Sequence, residues 1–102
     1  MEEKEELAYK AYLESLSIEE LEALNPETDV ERLRSLATHG NFKVRANVAN
    51  NESTPADLFS GFVSDEHYLV RVGLAFNPNV SDNLLEALSK DEDELVRKAA
   101  SK

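Results

Sequence analysis

Cysteine is missing from all 102 residues, which removes disulfides, thiolate zinc sites, iron–sulfur clusters and cysteine nucleophiles together. Tryptophan is absent too, and glycine and proline number three each. So few chain breakers, with 41% hydrophobic and 31% charged residues, argue for a helical globular chain rather than a disordered one. No apolar run approaches the ~20 residues of a membrane span, so no membrane association is expected. The opening Met1-Glu2-Glu3-Lys4-Glu5-Glu6 is acidic where a secretory signal would be basic and then apolar. A cytoplasmic location is the resulting expectation. Basic residues are scarce as well: 11 Lys and Arg stand against 21 Asp and Glu, for a net charge of −10. Most of the excess lies in the first 24 residues, which hold eight Glu and two Lys. Affinity for phosphate backbones is built from clustered Lys and Arg, so nucleic acid is disfavoured as a partner. An acidic surface serves solubility or steers basic partners.

What is present is a repeat. Val44-Arg45, Val70-Arg71 and Val96-Arg97 follow one another at intervals of 26 residues, as do Asn25, Asn51 and Asn77. The same offset relates Leu33, Phe59 and Leu85, then Leu36, Phe62 and Leu88, and it carries Asp65 onto Asp91. Residues 25–50, 51–76 and 77–102 are thus three units without an insertion, and residues 1–24 stand outside them. One domain of this size buries only ~60–65% of its unfolded surface, so its core is thin.

Each unit reads as two helices. Thr28, Thr54-Pro55 and Ser81-Asp82 are start signals for the first. Leu33, Leu36 and Ala37, then Phe59, Phe62 and Val63, then Leu85 and Leu88 supply its apolar stripe. Asn41, Asp65 and Asp91 can each cap the second, predicted over 42–49, 66–76 and 92–101. Val44 with Val48, Val70 with Leu74, and Val96 with Ala100 are i, i+4 pairs that form one buried seam. Ahead of the repeats, Leu7, Ala8, Ala11 and Tyr12 have helical spacing, and Ser17-Ile18-Glu19-Glu20 has the form of a capping box before a helix over 18–24. Terminal repeats need an outer face that tolerates water, so residues 1–24 are expected to form an N-terminal helical cap. The fold class is then all-α: a right-handed α-solenoid of three 26-residue two-helix repeats, with no strand.

Asn25-Pro26-Glu27-Thr28, Asn77-Pro78-Asn79-Val80 and the V-R-x-x-V-A run from Val44 to Ala49 resemble the leucine-rich repeat variant family, which stacks helical units of about this length. The spacing from Asp65 to Arg71, repeated from Asp91 to Arg97, is similar to HEAT repeats, whose Asp–Arg pairs are structural. The resemblance covers residues 25–102 and implies a helical scaffold for many functions. Two departures stand out. His39 occupies the place of the Asp in the first repeat, and Asn51-Glu52 replaces Asn-Pro in the second, so neither ladder nor turns are expected to be uniform.

Three groups of residues are candidates for a function. Arg45, Arg71 and Arg97 in register could present a cationic row to an anionic ligand, but pairing with Asp65 and Asp91 makes a structural ladder the stronger reading. Arg45, lacking an Asp at position 39, is on this view the one most free to bind elsewhere. His39 and His67 have no converging ligands, so no metal and no cofactor are expected. No catalytic serine or phosphate-binding glycine pattern occurs. Leu69, Val72 and Phe76 lie on the side of their helix opposite Val70 and Leu74. Burial between neighbouring second helices is the ordinary fate of such a patch. If it is open, Leu69, Val72 and Phe76 form the centre of a partner-binding face, with Lys43, Asn47 and Arg45 at its edge.

The expected function is therefore a non-enzymatic interaction module whose second-helix, concave face holds a protein or peptide, with basic partners favoured by charge. The chain is expected to be a monomer, with weak self-association through the C-terminal repeat where Leu95, Ala99 and Ala100 come last. Two alternatives belong to other classes: a HEAT-like nucleic-acid-binding or repair-type protein, and a small self-assembling structural protein.

Overall fold

The computed structural model describes residues 3–101, and these are all-α, with eight helices and no strand among the described residues. Their order is α1 (Glu3–Glu14), α2 (Ile18–Leu24), α3 (Val30–Leu36), α4 (Phe42–Asn50), a 3₁₀ turn (Ala56–Leu58) running into α5 (Phe59–Val63), α6 (Tyr68–Phe76), α7 (Asp82–Leu88) and α8 (Glu94–Ala100). α2, α4, α6 and α8 pack one on the next, and α3, α5 and α7 line their other side. The core is what the i, i+4 spacing predicts: Val44, Val48, Val70, Leu74 and Val96 are wholly buried, with Leu33, Leu36, Phe59, Phe62 and Leu88 facing them.

Glycine is required at one close approach. A Cβ on Gly73 of α6 would lie 2.6 Å from the Ala46 carbonyl oxygen of α4. Backbone cannot yield as a flexible side chain can, so this residue sets how closely the two central helices meet.

The turns between units are held by asparagine. The Asn25, Asn51 and Asn77 side-chain carbonyls each accept the amide of the residue two positions on, at 2.8–2.9 Å. Asn-Pro and Asn-Glu therefore give the same turn, because the asparagine side chain and not the proline closes it. This corrects the expectation of uneven turns. The amide group of Asn51 donates to the Ala23 and Asn25 carbonyls, and that of Asn77 donates to those of Ala49 and Asn51, one unit further along. Asn77 is fully buried, and each of its polar atoms has a partner. An unpaired buried carbonyl costs ~1–3 kcal/mol, so these amides do for the unit boundaries what a cap does for a helix.

Several capping assignments change. Thr28 and Thr54 do not cap the helices that follow: their hydroxyls donate to the Glu22 and Val48 carbonyls at the end of the preceding helix, each at 2.6 Å. Asn41 does cap α4, but α6 is capped by His67 and α8 by Asp93, so those helices begin later than 66 and 92. Asp65 and Asp91 sit two residues earlier, where each carboxylate accepts the amide of the capping residue at 2.9 Å. His39 does the same with its Nδ1, accepting the Asn41 amide at 3.0 Å. It thereby replaces the Asp in the turn, though not in the ladder.

The N-terminal pair divides. α2 packs on α3 and α4, and the Ser17 hydroxyl accepts the Glu20 amide as its cap. α1 has no buried residue; it lies outside the core that α2 joins.

Candidate functional site

Two arginines are consumed by the scaffold. Arg45 grips Asp65 through Nε and Nη2 at 2.8 and 3.1 Å, and its Nη1 donates to the His39 carbonyl at 2.8 Å. Arg71 repeats the arrangement one unit on, holding Asp91 at 2.8 and 3.2 Å and the Asp65 carbonyl at 2.7 Å. The pairs are nearly buried and bidentate, the geometry in which a guanidinium and a carboxylate compensate one another's desolvation. For Asp65, burial is the largest influence and raises the carboxyl. The Arg45 hydrogen bond, the His67 amide and the Arg45 charge together outweigh it and hold the group below the usual aspartate range.

Arg45 is therefore not free to bind elsewhere, because Arg45 and Arg71 each take the Asp of the following unit rather than one of their own, and it lines neither groove beside Leu69, Val72 and Phe76. A missing Asp at position 39 leaves Arg45 unaffected. Arg97 is the different one: its Nη1 donates to the Asp91 carbonyl at 2.7 Å, and no carboxylate meets it among the described residues.

Leu69, Val72 and Phe76 are not buried by the neighbouring helices. Phe76 is 56% exposed, Leu69 37%, and Val72 half-buried. They form a ridge with a groove on each side. The first groove, of about 490 Å³, lies over α4 and α6; Phe42, Ala46 and Gly73 form its floor, and Lys43, Asn47 and Glu20 its polar edge. Tyr12, Ser15 and Leu16 close its far wall. The second, of about 400 Å³, lies between α6 and α8, where Leu95 and Ala99 face the ridge and Lys98 borders it. Lys43 and Asn47 thus line the same groove as the ridge. Asn47 is partly committed, donating to the Glu20 carbonyl at 3.2 Å.

Why the ridge stays open follows from its neighbours. The positions equivalent to Leu69, Val72 and Phe76 are Lys43, Ala46 and Asn50 in the preceding unit and Leu95, Lys98 and Lys102 in the following one. Ala46 and Asn50 on one side and Lys98 on the other are small or polar, and they leave the larger side chains uncovered. Sequence reasoning did not single out Phe42, whose ring stacks on His67 at 3.7 Å and nearly parallel. Its helical spacing from Ala46 was the available signal. Among the described residues no group of three His, Asp or Glu is placed to hold a metal ion, and no helix is long and apolar enough to cross a membrane.

Comparison with family models, with curated proteins and with solved structures yields no match to this chain.

Proposed function

We propose that the chain is a non-enzymatic protein or peptide interaction module, a right-handed α-solenoid of the leucine-rich repeat variant or HEAT-like kind, that holds its partner on the second-helix face. One observation carries this reading: the Leu69–Val72–Phe76 ridge is open to solvent with a groove on either side, whereas Val70, Gly73, Leu74 and Ala75 of the same helix are buried. An aromatic and two aliphatic side chains framed by Lys43, Asn47 and Lys98 have the composition of a binding hot spot with a polar rim. The ladder supports the reading from the other side, since it occupies two of the three arginines that a phosphate-binding row would need.

The test is selection of peptides from a random library on the wild-type chain, followed by titration against Phe76→Glu and Arg97→Glu. Phe76→Glu should weaken the selected peptides by ~30-fold or more, the scale of a hot-spot loss, and Arg97→Glu should leave them unchanged. Peptides that bind both variants equally well would place the partner elsewhere and end the proposal.

A further inference from the structure

Two turns of this molecule are closed by an imidazole nitrogen. His39 accepts the Asn41 amide on Nδ1 at 3.0 Å, and His67 accepts the Leu69 amide on Nδ1 at 3.1 Å. A ring nitrogen that accepts a hydrogen bond carries no proton, so both rings are neutral with their hydrogen on Nε2. A further proton can go only to Nδ1, where it would set one N–H against another.

The equivalent positions of the three units supply the comparison. The pair ahead of α4 is His39 and Asn41, ahead of α6 it is Asp65 and His67, and ahead of α8 it is Asp91 and Asp93. In each turn the first side chain accepts the amide of the second, and the second accepts an amide of the helix start. All six do the same work, but only the imidazoles change charge between about pH 5 and pH 8. Aspartate and asparagine remain acceptors over that whole range.

His67 has the wider reach. Its ring lies nearly parallel to that of Phe42 with centroids 3.7 Å apart, and Tyr68 stacks beside it at 5.1 Å. Phe42 is the floor of the α4–α6 groove, and the amide that His67 caps belongs to Leu69, the first residue of the ridge. In the turn that carries His67, Asp65 is gripped by Arg45 of α4 and Glu66 is exposed. Asp91 and Glu92 border the same hollow as those two acids; Asp91 is held by Arg71 of α6, and Glu92 is exposed. α5 carries no charge, Lys43 of α4 is a cation, and the N-terminus of α6 disfavours an imidazolium. Around His39 the charges are Lys43 and Arg45 of α4, with Glu31, Arg32 and Arg34 of α3; Arg32 is taken by Glu22 and Arg34 by Asp57.

We propose that the two histidines are proton-sensitive latches on the second-helix face. Neutral, they hold the first turns of α4 and α6, and with them Phe42 and Leu69; protonated, they let those turns go. The latch stands on the turn geometry, and only its effect on a partner rests on the reading of this face as a docking surface. Protonation removes an acceptor that the folded chain uses and the unfolded chain does not. Stability is therefore complete where the rings are neutral and is lost as pH falls through the histidine range.

The test compares the three turns within one full-length chain by NMR from about pH 8 to about pH 5. At the upper end the imidazole nitrogen shifts should show an unprotonated Nδ1 in both rings. As pH falls, the Asn41 and Leu69 amide protons should move upfield with the midpoints of their own histidines, while the Asp93 and Leu95 amides hold still. His39→Asn and His67→Asn supply the acceptor that Asn25, Asn41, Asn51 and Asn77 already provide in this way. Over the same pH range the melting temperature of the wild type should fall by about 4–8 °C per latch, and that of the double variant should lose this fall. A proton on Nδ1 at the upper end, a Leu69 amide indifferent to His67, or a double variant that falls as far as the wild type overturns the latch. Peptides selected on the wild type that depend on Phe76 should bind up to about fivefold more weakly at the acid end, and the double variant should hold them evenly. If the amides respond and such peptides weaken equally on both chains, the latch stands and its link to the docking face falls. If no selected peptide depends on Phe76, the docking-face reading falls and the latch is judged on the amides and the melting temperatures.

Discussion

The smallest unit of this protein's organisation is an arginine and the aspartate of the unit after it. Removing Arg45 or Arg71 strands a nearly buried carboxylate, so each Arg→Ala change should cost ~1–3 kcal/mol. Arg97→Ala removes an exposed side chain without a carboxylate partner among the described residues, and should cost less than ~0.5 kcal/mol. Denaturant melts that rank Arg97 beside the other two would refute the ladder. The Asp65 carboxyl supplies a second residue-scale prediction. Its folded pKa lies below the ordinary value, so its contribution is complete above the unfolded aspartate pKa of ~3.9 and is lost as pH falls through the lower, folded one. Between ~pH 6 and ~pH 2 the melting temperature should fall less steeply in Asp65→Asn than in wild type, from a lower starting point. The pairing was half legible in the sequence: spacing showed that Arg and Asp recur together, but not that each arginine reaches forward 20 residues to Asp65 or Asp91 rather than back six. Along the chain the nearer acid is the obvious partner; the packing of α4 on α6 and of α6 on α8 brings the farther one to the guanidinium.

At the scale of elements, the contact of α4 with α6 is where a single atom decides. Gly73→Ala should gain helix propensity and still destabilise the protein by ~1–3 kcal/mol, because the new Cβ meets the Ala46 backbone. Gly61→Ala is the internal control. No atom lies within 4 Å of a Cβ built there and the residue is in α5, so the substitution should stabilise by roughly 0.5–1 kcal/mol. Thermal unfolding of the two variants should move in opposite directions. The helices themselves were legible, since their apolar spacing recurs in three units and a mistaken period would have had to recur as well. Their starts were less so. One cap position is filled by Asn41, His67 and Asp93 in turn, and histidine carries no capping signal in a sequence although its Nδ1 accepts the Leu69 amide as an oxygen would. Thr28 and Thr54 carry that signal and act on the preceding helix instead.

Across the whole molecule, protection is graded from the centre outward. α4 and α6 pack on each other and on a neighbour at either side, whereas α1 has no fully buried residue. In dilute protein, amide hydrogen exchange should therefore be slowest in α4 and α6, near the limit set by global unfolding, and nearly unprotected in α1. An α1 as protected as α6 under those conditions would mean that it packs on its own chain. Phe76→Ala should shift the melting temperature by little, the behaviour of a side chain more than half exposed and not of a core aromatic, whose truncation costs ~3–5 kcal/mol. The sequence by itself determined the helical class, the 26-residue period, the buried seam and the rows of Arg, Asp and Asn, because each is a matter of spacing along one chain. Only the tertiary structure decided which Asp each Arg holds, that the asparagine amides bind the unit before them, that α1 stands apart from α2, and that Leu69, Val72 and Phe76 remain open. Those outcomes depend on which side chains of adjoining units meet, and on whether Ala46, Asn50 and Lys98 are large and apolar enough to cover a neighbour.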